Sequence, residues 1–213
     1  MDFEVFIATL IRQLSLPLPG AEAQLAMSSH RRLRERSALR EYENAIRSSV
    51  LILLYPGRIN PVPTFVVTLR PIYNGIHSGQ ISLPGGRFEI TDKDMKNTAL
   101  RETKEEIGMD VNKVTVIGML TELYIPPSNY LVQPFVGFAT APPLFLPQPE
   151  EVEKIIEIEI ADLMDKRNKT QVEISAGGIQ FPAPSFVING TTIWGATAMM
   201  LNEFTEVIRN FES

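Results

Sequence analysis

The sequence predicts an α/β fold with an N-terminal helical extension. Two observations carry that reading: short β-branched runs closed by prolines alternate with stretches of helical periodicity, and no linker, repeat or low-complexity segment divides them. The size agrees, because 213 residues suit one large domain when domains hold ~150 residues each. With 44% hydrophobic and 21% charged residues, the composition excludes wholesale disorder and fibrous classes. One domain over 1–213 is expected, with 1–44 as the extension.

In chain order, the first element is an amphipathic helix. Phe3, Phe6, Ile7, Leu10, Ile11 and Leu14 recur at helical spacing. A basic stretch with Arg31, Arg32, Arg34, Arg36 and Arg40 follows, read as a solvated helical face, with contact to a polyanionic substrate as the alternative. From Ala45 the texture changes. SSVLILLYP and PTFVVTLRP read as buried strands, and VTVIGMLTEL and YLVQPFVGFA as two more. Val152 to Ile160 alternates as a half-exposed strand should. Helical periodicity returns at about Asp94 to Ile107 and about Gly195 to Phe211, and Gly177–Gly178 and Asn189–Gly190 read as hairpin turns.

Composition also bounds function. A net charge of −5 and a pI near 5.2 argue against a general nucleic-acid partner. The absence of cysteine removes disulfide frameworks, thiolate zinc sites and cysteine nucleophiles together. No run approaches the ~18 apolar residues of a membrane span, and Asp2 and Glu4 stand where a secretory signal would carry Lys or Arg. A cytoplasmic protein with no membrane partner is expected.

The chemistry is concentrated in LPGGRFEITDKDMKNTALRETKEEIGM, Leu83 to Met109. As a helix, its second half has Asp92 or Asp94 as N-cap and Gly108 at the left-handed C-terminal position. Ala99, Leu100, Thr103 and Ile107 then form the buried side, and Glu102, Glu105 and Glu106 the opposite one. Glu102 and Glu106 are one turn apart, about 40° around the axis. Like charges at this spacing cost ~0.2–0.5 kcal/mol, and carboxylates near a helix C-terminus a further ~0.3–1 kcal/mol each. A hard divalent cation would relieve both, and an all-oxygen set without histidine or thiolate suits Mg²⁺ or Mn²⁺. Gly85–Gly86, just upstream, permits backbone conformations closed to other residues and leaves carbonyls exposed beside the carboxylates.

Gly86, Arg101-Glu102, Glu105-Glu106 and Gly108 resemble the Nudix box, G-x5-E-x7-R-E-U-x-E-E-x-G-U with U aliphatic, here over residues 86–109. Asp92 replaces the first glutamate, one extra residue separates it from Arg101, and Thr103 replaces an aliphatic position. Those departures resemble the coenzyme A diphosphatase branch, whose boxes read like PGG-x5-D-x-D…TALRE. That branch has an upstream motif close to L-L-T-x-R-(S/A)-x3-R-x3-G-x3-(F/L)-P-G-G. Val66 to Arg70 and Gly79 to Gly86 match its spacing, but Pro71 and Gly75 stand where Ser or Ala and Arg are usual. Gln133–Gly137, Glu151-Val152 and Ile193–Ala198 also look like this branch, so the resemblance spans roughly 30 to 210.

The resemblance implies an α/β/α sandwich around a mixed sheet and hydrolysis of a phosphoanhydride in a nucleoside diphosphate derivative. The substrate implied is coenzyme A or acyl-coenzyme A, giving phosphopantetheine and adenosine 3′,5′-bisphosphate. Glu102 and Glu106 are the implied principal Mg²⁺ or Mn²⁺ ligands, with Glu105 and the Gly86 carbonyl as further ones. Arg101 would orient a glutamate by a bidentate contact. Glu151, outside the box, is the candidate general base. Arg70 and Gln80, in the upstream motif, are the candidate substrate contacts. His77, Trp194 and Met199–Met200 read as structural. The resemblance leaves room for a homodimer.

Pro71 and Gly75 keep ADP-ribose, NADH and dinucleoside polyphosphates open as substrates. A catalytically idle binding module would be expected to lose box carboxylates, and all three are present. Asp92-x-Asp94 suggests an EF-hand, but Lys96 occupies the third ligand position and the loop glycine is missing. P-loop and serine-hydrolase motifs are absent.

Overall fold

A computed structural model describes residues 1–29, 44–75, 77–176 and 178–212. The expected basic helical face, Arg31 to Arg40, lies outside them.

Helix α1 (Phe3–Leu14) starts at Asp2, whose carboxylate accepts the Glu4 N–H at 2.9 Å, and it buries Phe3, Phe6, Ile7 and Leu10. Ile11 departs from the expected apolar stripe and is 44% exposed. A short α2 (Gly20–Leu25) follows. Strand β1 (Ile46–Pro56) is the spine of the fold, and every residue from Ser48 to Tyr55 is buried. Its side chains alternate between two cores. Leu51, Leu53 and Tyr55 join Ala99 and Ile107 on one face. Val50, Ile52 and Leu54 join Leu10 and Phe204 on the other.

The sheet is mixed. Along one edge β1 runs parallel to β7 (Tyr130–Phe138), from Ile46 opposite Tyr130 to Leu54 opposite Phe138. Along its other edge β1 changes partner. Ser48–Val50 pair with β4 (Gly85–Arg87), and Leu54–Pro56 with β2 (Pro63–Leu69). The far end of β2 is paired instead by β3 (Ile81–Ser82). Strands β1 and β2 therefore part where the double glycine enters.

Beyond β7 lie β5 (Thr115–Met119) and β6 (Leu123–Ile125), and β8 (Lys154–Glu159) closes the edge beside β2. The run expected as one strand, VTVIGMLTEL, is thus two. At the break the Thr121 N–H and hydroxyl both donate to the carboxylate of fully buried Glu203, which draws the chain out of the ladder.

Helix α3 (Met95–Ile107) covers one face. The other face carries α1, α2 and the C-terminal helix α5 (Gly195–Arg209), so helices flank the sheet on both sides. Short α4 (Ile160–Met164) leads to an antiparallel three-stranded sheet of β9 (Lys169–Ala176), β10 (Ile179–Ile188) and β11 (Thr191–Trp194), with the β10–β11 turn at Asn189–Gly190. No helix among the described residues is long and apolar enough to cross a membrane.

Candidate active site

Helix α3 begins and ends where local chemistry dictates. Asp94, rather than Asp92, is the N-cap and accepts the Asn97 N–H at 2.8 Å. Gly108 closes the helix at φ 68°, and a Cβ there would lie 2.7 Å from the Leu146 Cβ. The chain after β7 returns over this end. The Leu146 and Gln148 N–H groups cap the Ile107 and Glu106 carbonyls, each at 2.9 Å, and the Glu153 N–H bonds the Leu69 carbonyl. Glu151 is thereby held beside the last turn of α3, where its charge acts on both Glu102 and Glu106.

The three box glutamates occupy three environments. Glu106, expected opposite the buried side, is itself buried at 2% exposure because it faces the double glycine. One of its oxygens accepts the Gly85 N–H at 3.1 Å and the other lies 3.6 Å from the Arg70 guanidinium. Burial pushes its carboxyl up to about 7, against the pull of Arg70 and the Gly85 N–H. Glu102, one turn earlier, has its carboxyl raised by burial against the pull of Arg101. Glu105 is half exposed.

Gly85 and Gly86 are needed for different reasons. Gly85 sits at φ 152°, and a Cβ there would fall 2.3 Å from the Ser49 carbonyl oxygen. At Gly86 a Cβ would fall 2.5 Å from the Glu102 carboxyl carbon. The bare backbone therefore lies directly against that carboxylate. The Gly86 carbonyl accepts the Ser48 hydroxyl at 2.7 Å and has a second lone pair.

Arg101 was expected to grip a glutamate with two hydrogen bonds, but its bidentate partner is Asp92, at 2.8 and 2.9 Å. The guanidinium plane matches one carboxylate, and Asp92 is the one presented side-on by the turn before α3. One remaining nitrogen, Nη1, reaches Glu102 and Glu105, each at 2.9 Å, and Nη2 also donates to the Arg87 carbonyl.

Among the described residues no three acidic or histidine side chains already enclose a point where an ion would sit. Arg101 holds Glu102 and Glu105, while Gly85 and Arg70 hold Glu106. The donor set nevertheless fits a hard divalent cation. It is all oxygen, it pairs two carboxylates with a backbone carbonyl at the glycine bend, and it raises both inner carboxyls because charge there is poorly solvated.

Arg70, Gln80, Gly86, Glu102, Glu106 and Glu151, far apart in sequence, all line one cleft of about 960 Å³. Arg101 and Glu105 are not in its wall. The Gln80 Oε1 accepts from His77 Nδ1 at 3.2 Å, and the Gln80 backbone carbonyl takes the Arg70 N–H, which ties the upstream motif into one loop. Trp194, read from sequence as structural, also lines the cleft and is half-buried, as do His77, Met199 and Met200. Phe181, which the sequence analysis did not single out, joins them. Its position depends on the β9–β10 hairpin, and nothing local in the sequence marks it.

The chain is similar to several known proteins. A model of the NUDIX domain matches residues 45–176. The human mitochondrial coenzyme A diphosphatase NUDT8 is 32% identical over 156 residues, 72% of this chain and 66% of that protein. The Nudix hydrolase NudL of Photorhabdus laumondii is 31% identical over 157 residues, 74% of this chain and 83% of its own. Among solved structures, the Nudix hydrolase RenU of M. smegmatis shares the fold with a TM-score of 0.55 at 15% identity, covering 78% of this chain and 87% of that one.

Proposed function

The chain belongs to the Nudix family and is a pyrophosphatase of that family, and from this premise we propose that it cleaves the phosphoanhydride of coenzyme A or acyl-coenzyme A. The products would be phosphopantetheine and adenosine 3′,5′-bisphosphate. The observation that carries the reading is the convergence of Arg70, Gln80, Gly86, Glu102, Glu106 and Glu151 on one cleft. The upstream motif of the coenzyme A branch supplies the first two, and the box supplies the next three.

Glu102 and Glu106, with Glu105 and the Gly86 carbonyl, would hold Mg²⁺ or Mn²⁺. When bound, such a cation offsets the charge of the diphosphate and lowers the barrier to attack on phosphorus. Arg101 keeps Glu102 and Glu105 in position and is itself fixed by Asp92. Glu151, exposed and free of the clamps that hold the box, accepts the proton of the attacking water. Arg70 and Gln80 orient the diphosphate, and Arg70 offsets the negative charge of Glu106 meanwhile.

Pro71 and Gly75 favour a second reading, in which ADP-ribose, NADH or a dinucleoside polyphosphate is the substrate. Incubation with Mg²⁺ or Mn²⁺ and each compound in turn separates the two. Release of phosphopantetheine and adenosine 3′,5′-bisphosphate, with the other compounds left intact, is expected. Turnover of ADP-ribose or a dinucleotide alone would replace the assignment.

A further inference from the structure

The residues that line the cleft are of two chemical kinds. Glu102, Glu106, Glu151 and Arg70 are charged; Phe181, Ala183, Trp194, Met199 and Met200 form an uncharged wall. Trp194 is the only tryptophan in the chain. It stands at the junction of β11 and α5, half-buried, with its indole locked edge-to-face against Phe181 at a centroid distance of 6.0 Å and an interplanar angle of 72°. An edge-to-face contact covers at most one face of a ring. We propose that Trp194, braced by Phe181, is the surface on which the substrate's nucleobase stacks.

A nucleoside diphosphate derivative carries, within a bounded reach of its anhydride, a flat base with two faces able to stack. A rigid aromatic plane suits a flat ligand, whereas a flexible chain such as pantetheine gains nothing from a plane held in place. The wall is also tied to the box. In the first turn of α5 the Thr197 hydroxyl donates to the Ile81 carbonyl at 2.9 Å, and Ile81 lies on β3, which runs directly into Gly85–Gly86. Trp194 and the double glycine are thereby linked through the start of α5 and β3.

The inference rests on the proposed nucleotide substrate, and its test separates the two. Because Trp194 is the sole tryptophan, its fluorescence reports the wall directly. Adenosine 3′,5′-bisphosphate, and AMP more weakly, are expected to quench it saturably, and 4′-phosphopantetheine to leave it unchanged. Trp194→Leu should raise KM about tenfold, in line with base–aromatic stacking, with kcat within about twofold, and Trp194→Phe should recover most of the loss. Quenching by phosphopantetheine but not by nucleotides, or an unaltered KM in Trp194→Leu, would overturn the assignment. Quenching by AMP in an enzyme inert on coenzyme A would retain the stacking surface and remove the coenzyme A reading.

Discussion

Glu105 and Glu106 are neighbours in sequence with opposite fates, because one helical step turns a side chain by about 100°. That step takes Glu105 out to Arg101 and Glu106 in to the Gly85 N–H. The pattern of the three glutamates was legible from spacing alone. Which of them the sheet would cover was not, since that depends on where β4 passes α3, a contact between segments with no shared periodicity. Glu151 is the reverse case: its position comes from the turns that carry the chain over the end of α3, and its side chain is exposed. Glu151→Gln should therefore lower kcat by more than ~10²-fold while leaving the melting temperature almost unchanged. Steady-state kinetics beside thermal melts will check this, and near wild-type turnover would return the base to one of the box glutamates.

At the scale of elements, α3 was readable end to end because its signals are local. Asp94, the three glutamates and Gly108 lie within fifteen positions of one another. The clamp that joins α3 to the preceding turn has a consequence for pH. The Arg101 guanidinium beside Asp92 holds that carboxyl well below the usual carboxylate range, helped by the Glu89 N–H and the Thr98 hydroxyl. A carboxyl with a depressed folded-state pKa contributes stability that is fully present above its unfolded value, near 4, and lost as pH falls through the folded one. Asp92→Asn should thus lower stability at pH 7 and make it less sensitive to acid than wild type. Urea unfolding at pH 7 and pH 3 measures the difference, and parallel losses in the two proteins would refute it. The elements that escaped sequence reading are those set by distant partners. The β5–β6 break follows from Glu203, eighty-two residues away from Thr121.

The molecule as a whole explains why residues 1–29 of the N-terminal extension are not a loose appendage. Leu10 is fully buried in the same core as Phe204, Met199 and Met200, and the two methionines also line the cleft. Gly20 and Gln24, at α2, donate to the buried Glu203 carboxylate that breaks the β5–β6 run. Residues 1–29 therefore pack in the core that Met199 and Met200 share and hold the carboxylate at the β5–β6 break. Helical spacing alone placed Leu10 and Ile11 together on the apolar stripe, and only the assembled fold separates them. Leu10→Ala should cost about 2–5 kcal/mol, or roughly 4–20 °C in Tm for a chain of this size. Ile11→Ala, at a position 44% exposed, should cost below about 1 kcal/mol. Because the core of Leu10 continues into Met199 and Met200, Leu10→Ala should also raise KM, and Ile11→Ala should not. Calorimetry and kinetics on the pair settle the point: equal destabilisation, or a destabilised Leu10 variant with an unchanged KM, would mean that the extension and the cleft are independent.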